Sequence, residues 1–535
     1  MSTRAASLLA GMFSASPLRL QHYRRFYFGS IGAALGYQMQ ATVAAWLMAT
    51  LTPSPLMVAL VQTASTAPAL LFGLVAGALA DIVDRRHVIL VTQILLLLAT
   101  ALLGVLELFG LIGPAALLAF TFLIGSGFTL YLPAQQASTN DLVTRAELPR
   151  AVALGAVAFN VARAVGPALA GAIAAGLGSG SAMLASAAFF SVMIFSVRGW
   201  KSPKRAIPGV PETIISGIES GLRYMRHSPV MRALLLHNLG FSVCASALWA
   251  LLPVIARDQL GLGAGGYGML SGCFGIGAIT GALLIPRALH RTSLNTMVVA
   301  SVIVWVVAAL LIAWTNYTAL ALVGACGCGA AWVGCFASLS AGTQSAAPAW
   351  VRARAVGMNI LSSQAGMAAG AALWGSLASA SGTRIALAVS AGAMLVLVAI
   401  NRRVRVQMGD EAMVTPGMPM PELTIAIEPD PDDGPVLIQL EYRIDPPNQN
   451  EFLRIIGSIE PARRRNGAID WRVFRDLGED ARFVERFVIR SWAEYVRLRT
   501  RMTIADREVQ DRIESLQREG VPVRVSRLIG VDLAH

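Results

Sequence analysis

The sequence is poor in charge: Asp, Glu, Lys and Arg make up 14% of its 535 residues, hydrophobic types 55%, and the mean hydropathy is +0.60. So little charge excludes a water-soluble globule, which could not hide that much apolar surface in one core. Cysteine and histidine are also scarce, at five and six. Cys244, Cys273, Cys326, Cys328 and Cys335 all fall inside apolar stretches, which argues against a secreted disulfide framework or a zinc site and leaves them as small packing residues. There is no glycine-rich loop ending in Gly-Lys-Ser/Thr, so direct use of ATP is disfavoured, and no cofactor is expected.

What is present is a series of long apolar segments. A hydrocarbon slab about 30 Å thick needs about 20 helical residues to cross it. Such segments occur near 26–50, 56–80, 88–109, 115–136, 151–177, 181–199, 232–256, 265–289, 294–314, 317–343, 353–379 and 383–401. The expectation is an all-α polytopic membrane protein with twelve transmembrane helices. Pro68, Pro167 and Gly275 sit inside spans, where the bilayer tolerates them better than water does. The stretch "AASLLAGMF" is too short to span, and the arginines after it fit an uncleaved first helix rather than a secretory signal.

A formal net charge of +12 would suit a nucleic-acid partner, but the basic residues follow the bilayer. Arg19, Arg24 and Arg25 precede span one, Arg85 and Arg86 follow span two, and Arg145 and Arg150 follow span four. Lys201, Lys204, Arg205, Arg223 and Arg226 fill the central loop; Arg287, Arg291, Arg352, Arg354, Arg402 and Arg403 continue the same face, while the other face shows Arg257 and Arg384. The partner is a lipid bilayer and not nucleic acid, and positive-inside logic puts both termini in the cytoplasm.

Shifting the sequence by 204 residues lays Gly77-Ala-Leu on Gly281-Ala-Leu, Arg150-Ala-Val on Arg354-Ala-Val, Gly166 on Gly370 and Gly171 on Gly375. These coincidences predict a duplicated six-helix unit, with bundles at 1–200 and 232–405. The loop at 201–231 carries Ile214, Ile215, Ile218, Leu222 and Met225 at helical spacing, an amphipathic helix expected on the membrane surface. Residues 406–435 form a Pro-rich acidic linker. From 436 to 535 the pattern changes to βαββαβ, a small cytoplasmic α+β domain of ferredoxin-like order.

"GALADIVDRR", "RAVGPALAG", "YLPAQQASTNDLVTRAELPRAVAL" and "GYQMQATVAAW" together resemble the major facilitator superfamily, in its bacterial branch of transmembrane secretion effectors, which includes enterobactin exporters. The resemblance covers about Arg19 to Arg405. It implies a multi-pass secondary transporter of the bacterial inner membrane that exports a small, partly apolar molecule such as a drug, siderophore or secondary metabolite by alternating access, with proton antiport. Gly73 and Gly77 would let another helix approach, and Asp81 would meet a helix start or a basic group; the resemblance makes this a latch, with Arg352 or Arg354 as partner. Ile82 replaces the family's usual arginine. Arg85 and Arg86 orient the loop or touch anionic lipid. Gly166, Pro167 and Gly171 permit a bend and tight packing in span five, and Arg163 lies near mid-membrane, where it serves cargo, proton coupling or a backbone carbonyl.

The family places its cavity between spans one, four, seven and ten, which makes Gln38, Tyr131, Asn238 and Trp332 the cavity candidates. Glu107 and Asp258, the other carboxylates near spans, sit toward helix ends, so proton coupling rests on the resemblance alone. "GAIDWRVFRDL" and "SWAEYVRLRTRMTIADREV" resemble an antibiotic-biosynthesis-monooxygenase domain. His535 is the single histidine beyond the linker, and the histidines that resemblance would place near Tyr495 and Arg499 are missing, which favours a regulatory or self-association role over catalysis. The chain is therefore not expected to be an enzyme; a lipid or lysophospholipid transporter on the same fold and a membrane-tethered oxygenase are the alternatives.

Overall fold

The computed structural model describes residues 17–144, 146–198, 200, 214–289, 291–401, 406–415, 417 and 429–531. Its long helices are α1 (Gln21–Leu51), α2 (Pro55–Ile82), α3 (Arg85–Leu108), α4 (Pro114–Leu142), α5 (Leu148–Ser196), α6 (Ile214–His227), α7 (Pro229–Val254), α8 (Ala264–Leu289), α9 (Leu294–Trp314), α10 (Thr318–Ala346), α11 (Arg352–Ser381) and α12 (Thr383–Asn401). α5 is two rods joined at Gly178, whose φ of +84° is open to glycine and strained for other residues. Among the described residues, eight helices are long and apolar enough to cross a membrane by length and composition.

Local chemistry sets the helix starts. Ser54 caps α2, with Pro55 in the first turn where a missing N–H costs nothing. The Asp84 carboxylate accepts the Arg86 N–H at 2.9 Å and caps α3, whose leucine-rich run then continues unbroken. Inside the helices small residues set the spacing: Gly125 of α4 fits against Ser65 and Pro68 of α2, while Gly29, Gly32 and Gly36 of α1 lie against the second rod of α5. Lipid offers no hydrophobic drive between helices, so this close packing supplies the association.

The described residues form two compact units. One is drawn from 1–208, 237–338 and 360–405 and holds most of the apolar helices, with Met39, Leu96, Leu103, Ile124 and Phe190 at the core of its first half. Its helices run between a basic end, marked by Arg19, Arg85 and Arg150, and a far end, marked by Pro53, Gly113 and Gly261.

The other unit is drawn from 209–236, 339–359 and 406–535. It contains a four-stranded antiparallel sheet, order β2-β3-β1-β4, from β1 (Val436–Arg443), β2 (Trp471–Arg475), β3 (Arg482–Ile489) and β4 (Arg524–Ile529). Val436 pairs with both Ile489 and Ile529. Burial alternates along β1 and β3, so one face packs against α13 (Gln449–Arg465), α14 (Trp492–Arg501) and α15 (Ile504–Glu514), around Tyr442, Phe452, Ile456 and Phe483.

Within this second unit α6 is not an open amphipathic helix. Arg223 ion-pairs with Glu494, and Glu219 with Arg490. The Tyr224 hydroxyl donates to the Ala346 carbonyl at 3.0 Å, its ring meets Trp350 edge-on, and the Arg465 guanidinium stacks over it at 5.8 Å. The polar face that sequence alone would give to water is taken by the chain's own C-terminal residues. Thr415 accepts the Ile504 N–H at 3.0 Å, so the segment entering the sheet region is itself attached to it.

Candidate functional site

The helices of the first unit meet along two glycine seams. On α5, Gly171 faces Gly268 of α8 so closely that a Cβ on Gly171 would stand 2.7 Å from the Gly268 Cα, and one on Gly275 would stand 2.2 Å from the Ala164 Cα. On α11, a Cβ on Gly375 would stand 2.4 Å from the Ala59 Cβ of α2. The Thr63 hydroxyl donates to the Ala368 carbonyl at 2.9 Å, and the Leu56 N–H donates to the Ser379 hydroxyl at 3.0 Å.

The two seams repeat one another. Gly166 packs on Gln38 of α1 and Gly171 on α8, while their counterparts Gly370 and Gly375 pack on α7, at Val243 and Ser246, and on α2. A shift that carries α5 onto α11 therefore carries its partners along as well, which is the geometry expected of duplicated halves.

Both seams are closed at the far end and lose contact toward the basic end. With about 100° per residue, Ala59, Thr63 and Gly77 share one stripe of α2. A Cβ on Gly73, nearby on that face, would still stand 3.2 Å from Leu361, but among the described residues an added Cβ on Gly77 would meet nothing within 4 Å. On α5, Val157 and Ala153, in phase with Ala164 and Gly171, are exposed. Of the two glycines expected to admit a neighbour, Gly73 does so in this conformation and Gly77 does not. Asp81 lies in the last turn of α2, but its side chain is outside the described residues.

The remaining motif residues have distinct places. Arg85 clamps three helix ends: its Nε donates to the Ala80 carbonyl at 3.1 Å, and its Nη1 to the Ala137 carbonyl at 3.2 Å and to Asp141 at 2.5 Å. Arg86 is half-buried. Arg354 donates to the Ser220 hydroxyl of α6 at 2.9 Å and lays its stem along Gly221. Pro167 is buried in α5, its carbonyl oxygen 2.7 Å from where a Cβ on Gly268 would be. Arg163 is half-buried on α5, its guanidinium 5.1 Å from the Phe159 ring.

The cavity candidates fall in separate settings. Gln38 is half-buried against Gly166. Tyr131 is 3% exposed, beside Phe128, which stacks on Tyr37 at 3.7 Å. Asn238 is fully buried on α7. Trp332 sits in an aromatic cluster with Phe241, Trp249, Phe274, Trp305 and Phe336. Sequence reasoning missed Thr63 and Ser379, since a hydroxyl within an apolar run shows no inter-helix partner until the helices are assembled.

In the second unit the sheet's buried face holds a polar network. Glu485 accepts from Arg463 Nε and Trp471 Nε1, each at 2.9 Å, and from the Tyr442 hydroxyl at 3.0 Å, while Arg463 also donates to Gln510 at 2.6 Å. Burial raises the Glu485 carboxyl, but the Arg463 charge and these hydrogen bonds outweigh it and hold the carboxyl below its usual range. His227, at the end of α6, is pushed down by burial and then by Arg464, Arg226 and Arg223, against the pull of Glu460.

Residues 12–534 match a family described as transmembrane secretion effector. The multidrug efflux pump Tap of Mycolicibacterium fortuitum is 27% identical over 223 residues, 40% of this chain and 54% of that protein. The staphyloferrin A transporter of Staphylococcus aureus is 26% identical over 259 residues, 47% of this chain and 64% of that protein. The chain thus spans about half to two thirds of the length of these curated relatives. Among solved structures, the nucleoside transporter NupG superposes with a TM-score of 0.58 at 14% identity, covering 72% of this chain and 98% of that one. A bacterial homolog of the human lysosomal transporter Spinster, inward-facing and occupied, gives 0.59 at 14% identity, over 73% and 98%. At such identity these two likenesses speak to fold alone.

Proposed function

Since the chain belongs to the transmembrane secretion effector family of major facilitator transporters, we propose that it exports a small, partly apolar molecule across the bacterial plasma membrane by alternating access. The observation that carries this reading is the one-ended closure of the seams. Gly171 against Gly268 and Gly375 against Ala59 shut the far end, while Gly77 stands clear near the basic end. Packed interfaces of this kind have two discrete arrangements rather than a continuum, so the same stripes can close at the other end by rocking of the halves.

In this proposal the twelve helical rods cross the membrane in two six-helix repeats, the basic end is cytoplasmic, and the state described is open to the cytoplasm. Asp81 is the latch that closes that end in the alternate state. Gln38, Tyr131, Asn238 and Trp332 line or support the path, and proton antiport drives it. Residues 436–531 form an α+β domain whose buried Glu485 and Arg463 are already paired with each other, with Trp471, Tyr442 and Gln510 around them, which supports a regulatory or self-associating part over a catalytic one. The relatives' names, a multidrug efflux pump and a siderophore transporter, support export of drug-like or siderophore-like cargo.

The test is uptake of a fluorescent dye, rhodamine 6G or carboxyfluorescein, into proteoliposomes containing inside-out protein, with and without an imposed pH gradient. Gradient-dependent accumulation is expected; leakage equal to protein-free vesicles for both dyes would remove the export reading.

A further inference from the structure

Arg163 carries a full charge at the midpoint of its rod. It lies fifteen residues from Leu148 and fifteen from Gly178, about 22 Å from either end at 1.5 Å per residue. An arginine at that depth costs about 2.5–3.5 kcal/mol on insertion scales, so something must repay its placement.

The helical phase shows which way it points. Val161 and Val165 are exposed and mark the lipid side of α5. Arg163 lies on the opposite side, between the stripe that meets α8 through Ala164 and Gly171 and the stripe that meets α1 through Gly166. It faces the interior between α1 and α8 and is half-buried there.

Among the described residues it has no ion-pair partner and no hydrogen bond to a backbone carbonyl, and its guanidinium lies 5.1 Å from the Phe159 ring. An aromatic ring supplies no carboxylate or carbonyl oxygen, so this contact does not occupy the planar N–H fork with which an arginine binds a carboxylate. Asn160, on the same side of α5, and Gln38, across the Gly166 contact, add amide groups nearby.

Nor does the architecture require a cation at this position. The duplication places Met367 at the equivalent point of α11, where it is 5% exposed and packs as an apolar side chain. At this interior position the two copies therefore differ in charge, and only α5 carries a cation.

From these observations we propose that Arg163 is the counter-charge for cargo, and that the cargo is an amphipathic organic anion, a carboxylate on an apolar or aromatic body. This rests on the export reading above and names its substrate class.

The experiment uses the full chain in detergent and three ligands sharing one ring system, 1-naphthoate, 1-naphthalenemethanol and 1-naphthylmethylamine. Binding is read by thermal shift and tryptophan fluorescence. The wild type is expected to prefer the carboxylate, Arg163→Gln to lose that affinity at least about tenfold, and Arg163→Lys to keep part of it, with size-exclusion profiles confirming that each variant is folded. If Arg163→Gln does not fold, the charge preference of the wild type and the partial retention in Arg163→Lys still decide. Equal binding of carboxylate and amine by the wild type, or unchanged naphthoate affinity in a folded Arg163→Gln, overturns the proposal. In vesicles, transport of rhodamine 6G without any naphthoate binding would sink the anion assignment and leave export standing. Naphthoate binding through Arg163 without transport of any probe would sink export itself.

Discussion

Gly171 and Gly268 meet backbone to backbone: a Cβ on Gly268 would stand 2.8 Å from the Gly171 Cα. No larger side chain fits without parting α5 from α8, and overpacking of this kind costs about 1–3 kcal/mol. Gly171→Leu should therefore destabilise the far-end closure while leaving membrane insertion intact. Transport is expected to fall at least about tenfold, and cysteines placed at the far end should react faster with a membrane-impermeant maleimide. Unchanged labelling together with full transport would show that this seam does not move.

Gly77 offers the opposite experiment. Among the described residues nothing lies within 4 Å of a Cβ added there, so the single methyl of Gly77→Ala meets no obstacle in this conformation. Replacing a helical glycine should, if anything, stabilise this state by a few tenths up to about 1 kcal/mol. If the other state brings this stripe of α2 against a neighbour, the variant is trapped in the present one. Far-end labelling should slow, melting temperature should hold or rise, and transport should drop; a variant that transports like wild type would contradict closure at Gly77.

How much of this was legible in the sequence depends on the range of the interaction. The break between spans near residue 178 was readable because Gly178 stands between two apolar runs, and the 204-residue shift matched Gly166 and Gly171 to the glycines that occupy the corresponding seams. The strands and the helix at 449–465 followed from alternation and helical period. The region after Trp492 read as one helical stretch, whereas Thr503 and Asp506 form a capping box that starts a second helix. What could not be read was pairing across distance. Arg223 and Glu494 are 271 positions apart, and neither carries a local sign of the other. For the same reason the sequence of α6 does not tell what covers its polar face, which is charged whether water or another part of the chain lies against it.

The Glu485 network fixes how the second unit responds to acid. Glu485 is fully buried and Arg463 is 5% exposed, so removing either charge strands the other. Such losses run to about 3–5 kcal/mol. Glu485→Gln should accordingly raise hydrogen exchange in 482–489 well above wild type. Because the folded carboxyl sits below its free value, its contribution is complete above the unfolded range, near pH 4.3, and disappears only as pH falls through the lower folded value. Exchange protection in β3 should thus be flat from about pH 5 to 8 once corrected for intrinsic rates, and fall below about pH 4. A loss of protection between pH 5 and 7 would assign the acid response to another group.

The attachment of α6 is the last consequence and the one most open to measurement. Arg223 and Glu494 are 18% and 12% exposed, so their ion pair is partly shielded from water and salt. Reversing one charge, Arg223→Glu or Glu494→Arg, places like charges together and should raise exchange across 214–227. The double reversal should restore much of the protection, with a coupling of about 0.5–3 kcal/mol. His227 adds a pH term with a definite sign. Burial and three arginines lower its affinity for a proton in the folded chain, so neutral His227 belongs to the attached state. The attachment is then at full strength above the free imidazole value near pH 6.5 and weakens as pH falls below it. Wild-type 214–227 should exchange faster at pH 5.5 than at 7.5 after intrinsic correction, and His227→Gln should flatten that difference while leaving the Arg223–Glu494 coupling in place. If the charge-reversal cycle shows no coupling, the ion pair does not hold α6; if the coupling stands but His227→Gln keeps the full pH response, the proton acts elsewhere.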